Sequence, residues 1–328
     1  MKSLLIFVFL SCFGYLDSAC LPSITTVSGT NAPSSFCSGD VIFEDNFDSL
    51  ELAKWKHEIT LGGGGNWEFQ WYVNNRSNSY AENGNLHLKP TLTSEIYGED
   101  FLTKNRVIIP PEQCTQSNWY GCDRQGTVDH IINPIQSARV STWDSFRFKY
   151  GMLEIRAKMP AGDWLWPALW LMPRDSTYGS WPASGEIDVM EGRGNREMFD
   201  GETNVGVKQG GVTLHYGPRW DVNGWSKAHA SKNKDEGFNN DFHLYKFLWT
   251  PIGLKFWYDD DQVLNVPVGE GFWKRGDFGT SGLPNPWLKG SPTAPFDQEF
   301  YIIMNLATGG TNNYFGDSWT NKPHPKPW

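Results

Sequence analysis

The sequence predicts an all-β fold, a two-sheet antiparallel β-sandwich of jelly-roll type, and three observations carry that prediction. From Val41 onward, runs of about four to eight residues alternate apolar and polar, parted by Gly, Pro, Asn and Asp. No stretch keeps a sustained helical period. With no helices between them, successive strands pair antiparallel and leave one polar face on each sheet, which two sheets packed together bury on the other side.

The elements follow in chain order. Lys2, the apolar run Leu4 to Phe13 and the small residues Ser18 and Ala19 read as a secretory signal over residues 1–19, so the protein is expected to be secreted and extracellular. No later apolar run approaches the roughly 20 residues that cross a bilayer, and no membrane span is expected. Residues 20–40 are rich in Ser, Thr and Pro and form a pinned N-terminal segment; residues 41–328 form the main domain. Removal of the signal leaves Cys20, Cys37, Cys114 and Cys122, which allow three pairings. Sequence proximity favours Cys20–Cys37 and Cys114–Cys122, and the absence of CxxC spacing argues against zinc. The sequon Asn75-Arg76-Ser77 is compatible with glycosylation. Thr91 to Gln136 holds few alternating runs and reads as a long ordered loop. Leu153, Ile155, Ala157 and Met159 alternate with Glu154, Arg156 and Lys158 as in a half-buried strand. Phe247 and Trp249, a turn at Pro251–Gly253, Phe256 and Tyr258, a turn at Asp259–Asp261 and Val263–Val266 describe a meander.

Composition narrows the partner. The 17 Trp, 12 Tyr and 20 Phe exceed what a core of this size needs, and the net charge is −9. An acidic chain repels nucleic acid, whose binding rests on Lys and Arg neutralising phosphate. Aromatic faces with polar edges suit a neutral ligand with apolar C–H faces and a hydroxyl rim, such as a sugar.

The most informative stretch is Trp181-Pro-Ala-Ser-Gly-Glu186-Ile-Asp188-Val-Met-Glu191. On a regular strand Glu186 and Asp188 share a face and Glu191 points to the other. One extra residue at Val189 or Met190, a β-bulge, returns Glu191 to the first face. Glu186 and Glu191 would then flank a cleft with Asp188 between them, the arrangement of a retaining glycosidase with Glu186 as nucleophile and Glu191 as acid/base. Three acids alone also fit a solvated strand face. Trp164, Trp166 and Trp170, with Trp181 just before the acids, turn the reading toward a sugar platform.

At these residues the sequence resembles glycoside hydrolase family 16, and within it the animal β-1,3-glucanases and β-1,3-glucan-binding (Gram-negative bacteria-binding) proteins. The motif E-I-D-V-M-E carries the resemblance. It extends through Phe43-Glu-Asp-Asn-Phe47, Gly64 to Gln70, Ile135 to Arg139, Tyr150 to Lys158, Leu214-His-Tyr-Gly217 and Asn305 to Gly310. The resemblance implies a concanavalin-like jelly roll with an open concave cleft, Asp188 as the helper carboxylate, and sugar contacts from Asn66, Arg156, Trp166, Trp170, Trp181 and His215. Arg156 also fits a simple pairing with Glu154, and His215 a histidine at the core edge. Relatives continue past Trp328 into a final strand, so the domain is expected to lack it.

Two functions follow. One is an endo-β-1,3-glucanase; the other is a non-catalytic innate-immune lectin for β-1,3-glucan and microbial cell-wall components, lipopolysaccharide among them. Retention of all three acids favours the enzyme. No cofactor or metal is indicated: structural calcium occurs in some relatives, but no acidic loop of EF-hand spacing is present. Arg275-Gly276-Asp277 is an adhesion-type tripeptide whose integrin contact is the less favoured reading beside that of a plain loop.

Overall fold

The computed structural model describes residues 20–328, and residues 1–19, expected from sequence to be a secretory signal, lie outside them. Among the described residues, the first sheet runs Thr26–Ser28, Arg147–Lys149, Phe300–Thr308, Leu165–Pro173, Glu186–Gly192, Gln209–His215 and His229–Asn233. Arg139–Ser141 also pairs with Phe300–Thr308 and carries Lys56–His57 on its far side. The second sheet runs Gly151–Ala157, His243–Thr250, Gly253–Tyr258 and Asp261–Pro267. Every pairing within these two sheets is antiparallel. The sandwich fold is the one the alternation predicts.

The period of two explains the layers. Leu169, Leu171, Ile187, Val212 and Leu214 point inward from the first sheet to meet Tyr245, Phe247, Trp249, Leu254, Phe256 and Tyr258 from the second, all in one buried cluster. Each such side chain contributes about 1.5–3 kcal/mol by leaving water. Phe247 and Phe256 stack at 4.7 Å across the hairpin whose turn lies at Pro251–Gly253. The intervening polar residues face outward from both sheets. The outer face of the first sheet therefore carries Glu186, Asp188 and Glu191.

Both disulfides join the pairs that proximity favours, Cys20–Cys37 and Cys114–Cys122. The N-terminal segment does more than close a loop, because Thr26–Ser28 adds a strand to the first sheet against Arg147–Lys149. The stretch from Thr91 to Gln136 is ordered and has regular elements of its own. It holds the short helices Thr93–Tyr97 and Glu99–Lys104 and a hairpin of Arg106–Ile108 with Asp123–Gln125. Its Val107, Ile109 and Ile132 gather with Leu61 into a small core separate from that of the sandwich. Asn75, the sequon residue, is exposed in a turn where its Oδ1 accepts the Ser77 N–H at 2.9 Å.

Candidate active site

Strand parity at the acids is set by one irregularity. Against Leu165–Pro173, Glu191 pairs with Ala168, Met190 with Leu169 and Asp188 with Trp170, so Val189 has no opposite residue. Against Gln209–His215, Asp188 pairs with Thr213 and Glu191 with Gly211, so Val189 and Met190 together oppose Val212. Two residues facing one is a β-bulge. Val189 and Met190 are both fully buried, which supplies the reason for it: burying two successive apolar side chains requires the extra residue, and Glu191 emerges beside Glu186. Gly185, at φ +86° and with Phe296 packed close to where a Cβ would sit, lets the chain turn from Trp181 into this strand.

Each glutamate is held by a tryptophan. Trp181 Nε1 donates to Glu186 Oε2 at 2.8 Å and Trp166 Nε1 donates to Glu191 Oε1 at 3.0 Å. Asp188 lies between them, 2% exposed, and its Oδ2 approaches His215 Nε2 at 3.4 Å. His215 Nδ1 meets Asn223 Nδ2 at 2.9 Å. Asn223 Oδ1 already accepts the N–H groups of Tyr216 and Trp225, so the amide presents its N–H to the ring. The imidazole proton is thereby fixed on Nε2, facing the carboxylates.

Burial dominates the electrostatics. It pushes Glu186 up to about 7 against the stabilising hydrogen bond from Trp181. It raises Glu191, and it raises Asp188 well above the usual carboxylate range, with the adjacent Glu186 and Glu191 charges adding to it. His215 is lowered by burial, so the ring is neutral near pH 7. Three acids sharing few protons in a partly desolvated site can hold one carboxylate charged while another stays protonated. One oxygen or nitrogen from each of Glu186, Asp188 and His215 lies within 4.8 Å of the others, a spacing a cation could span. These atoms belong to the carboxylate site itself.

Trp170 lies opposite Asp188 in the strand register, and Asn66 packs against Gly310 beside Trp166. Trp170 Nε1 donates to Asn305 Oδ1 at 2.6 Å, and Asn66 Nδ2 donates to Glu68 Oε1 at 2.9 Å. Trp166 differs from the expected open platform: Tyr314 stacks on it at 3.8 Å and it is 8% exposed, so it positions Glu191. Trp164 packs edge-on to Phe315 and Trp328, which leaves Trp181, 40% exposed, as the open indole of the four beside the acids. Arg156 must be corrected. Leu153 and Ile155 on its strand face the core, so Arg156 projects from the outer face of the second sheet, where it covers the Phe242 ring at 4.3 Å. That face is on the far side of the sandwich from the acids. Arg275 donates to the Pro267 carbonyl at 2.6 Å and Asp277 ends the helix Phe272–Gly276 in a left-handed conformation.

Sequence reading missed four residues that build the site's floor and wall. Arg139 lies under the rings of Tyr72 and Trp170, paired with Glu58 at 3.0 Å and near Glu68 at 3.9 Å. Asn305 joins Trp170 to the Tyr72 hydroxyl. A lone Asn in the apolar run Phe300–Thr308 was a signal for the latter. Arg139 ends the family-like stretch Ile135 to Arg139 but has no local pattern that marks a role, while Asn223 and Tyr314 come from loops with no local signature.

A two-sheet sandwich whose outer face carries three acids aligned by a bulge, two of them held by tryptophan N–H groups, is the architecture of a glycosidase class, and comparison with known proteins places the chain within it. The model of glycosyl hydrolases family 16 matches residues 112–273. A β-1,3-glucan-binding protein of Penaeus monodon is 50% identical over 291 residues, covering 86% of this chain and 78% of that protein. Glucan endo-1,3-beta-glucosidase A1 of Niallia circulans is 33% identical over 292 residues, 86% of this chain, which spans only 36% of that enzyme. The X-ray structure of the laminarinase from Rhodothermus marinus superposes with a TM-score of 0.56 at 25% identity, covering 83% of this chain and 87% of that one. The chain belongs to glycosyl hydrolase family 16.

Proposed function

We propose that this protein is a secreted β-1,3-glucan-binding protein that hydrolyses its ligand internally with retention of configuration. The observation that carries the reading is the bulge at Val189, which puts Glu186 and Glu191 on one face with a tryptophan N–H on each. Glu186 attacks the anomeric carbon as Glu191 gives its proton to the departing glycosidic oxygen. Water then cleaves the glycosyl ester of Glu186, losing its proton to Glu191. Asp188, whose proton is held by burial and by the two neighbouring glutamates, gives a hydrogen bond to Glu186 that favours its charged form.

The test is release of reducing ends from laminarin with sizing of the products. Glu191→Gln should bind laminarin as the native protein does but cleave it about 10²–10⁴-fold more slowly, the usual worth of a general acid. Tight binding with no turnover in the native protein would instead establish a lectin for β-1,3-glucan and other microbial wall components. The 50% identity to a protein named for glucan binding favours that second reading.

The pH dependence follows from burial. Activity falls on the acid side as Glu186 gains a proton and on the alkaline side as Glu191 loses one. Both groups are raised, so both limbs of the profile are expected above the ordinary carboxylate range near about 4.3. An acid limb at ordinary carboxylate values would contradict the desolvated site.

A further inference from the structure

Three exposed aromatic residues stand together outside the carboxylate site, and each occupies a backbone conformation that side chains avoid. Trp67 has φ +52°, Trp119 φ +54° and Tyr120 φ +61°. They are 47%, 43% and 68% exposed. The rings of Trp67 and Tyr120 are 6.5 Å apart, and the Trp119 ring lies over Gly65, where a Cβ would sit 3.1 Å from it. Left-handed backbone disfavours bulky residues and persists where surrounding structure enforces it. Here the enforcement is visible. The disulfide Cys114–Cys122 brackets the loop, Thr60 Oγ1 donates to the Gln116 carbonyl at 2.7 Å, and the Leu61 N–H donates to the Gly121 carbonyl at 2.8 Å. Strain combined with exposure means that these rings are presented to solvent at the expense of the fold, in a loop ordered before any ligand arrives.

A line of contacts joins the patch to the residues around Glu191. Trp166, which holds Glu191, lies against Gly310; the Asn66 carbonyl also lies against Gly310 and accepts the Thr311 N–H at 2.8 Å. Trp67 follows Asn66 in the chain. Trp166 and Trp67 are thereby joined through Gly310 and Asn66. We infer that Trp67, Trp119 and Tyr120 form a distal subsite that stacks on further glucosyl units of the same β-1,3-glucan chain, so that affinity grows with chain length beyond what the carboxylate cleft holds. This inference rests on the glucan reading proposed above.

The test uses the full chain with Glu186→Gln to prevent cleavage, and compares it with the same protein carrying Trp67→Gly and Tyr120→Gly. Glycine accepts positive φ freely, so a merely displayed ring can be removed with no loss of Tm. Laminaritriose should bind both proteins equally, and laminarin should bind the glycine variant about tenfold less tightly, the loss typical of well-placed aromatic anchors. Unchanged laminarin affinity, an equal loss for triose and polymer, or a fall in Tm showing that the rings hold the loop together would each overturn the subsite. If the parent binds no laminaritriose, the cleft reading falls and the subsite with it. If triose binds and polymer affinity is unchanged, only the subsite falls.

Discussion

Glu186→Ala is expected to cut laminarin hydrolysis by about 10⁴-fold or more, as loss of a covalent nucleophile does elsewhere. Added azide should restore part of the turnover. It enters the space left by the carboxylate and attacks the anomeric carbon from the same face, Glu191 protonates the leaving oxygen, and the product is the α-glycosyl azide. In Glu191→Ala azide instead attacks the Glu186 glycosyl ester, and the product is the β anomer. The configuration of the azide thus assigns the two roles, and a β product from Glu186→Ala would reverse them. The isosteric Glu186→Gln carries a second signature. Burial raises the folded-state affinity of Glu186 for its proton, so its contribution to stability is complete below the ordinary value of 4.5 and is lost as pH rises through about 7. A glutamine cannot ionise. Glu186→Gln should therefore raise Tm at pH 8 and leave it unchanged at pH 4.

Arg139→Met is expected to destabilise the protein by about 3–5 kcal/mol in denaturant unfolding, the cost of leaving buried charge without its partner. The Arg139 side chain is 12% exposed and pairs with half-buried Glu58 at 3.0 Å and with Glu68 at 3.9 Å, and Glu68 is itself 6% exposed. The Glu68 carboxylate takes hydrogen bonds from Asn66 and Gln70, yet burial still raises it, so losing the cation falls on an already disfavoured charge. Adding Glu68→Gln to Arg139→Met should recover a large part of the loss. Independent, additive effects would show that the two are not coupled. Because Arg139 also underlies Trp170 and Tyr72, glucan affinity should fall with it.

The sandwich was legible because burial on one face leaves a period of two, which Gly151–Ala157 and His243–Thr250 carry without interruption. Glu186 and Glu191 were legible for the opposite reason: two consecutive apolar residues, Val189 and Met190, break that period, and the break brings the acids to one face. Arg156 shows where such reasoning stops. Alternation told which side of its own strand it occupied, but not which of the two sheets the strand joined, and the second sheet turns its polar face away from the acids. Trp166 was placed on the correct face, but its cover, Tyr314, arrives from 148 positions later in the chain, a contact that no local pattern encodes (314 − 166). Asn223 and Arg139 were illegible for the same reason, since both act through partners distant in sequence.

The small core of Leu61, Val107, Ile109 and Ile132 gives the excursion that carries Trp119 and Tyr120 a hydrophobic support distinct from the layer beneath the acids. A cavity opened at Ile132 should therefore loosen that excursion first, and local opening there would precede unfolding of the sandwich.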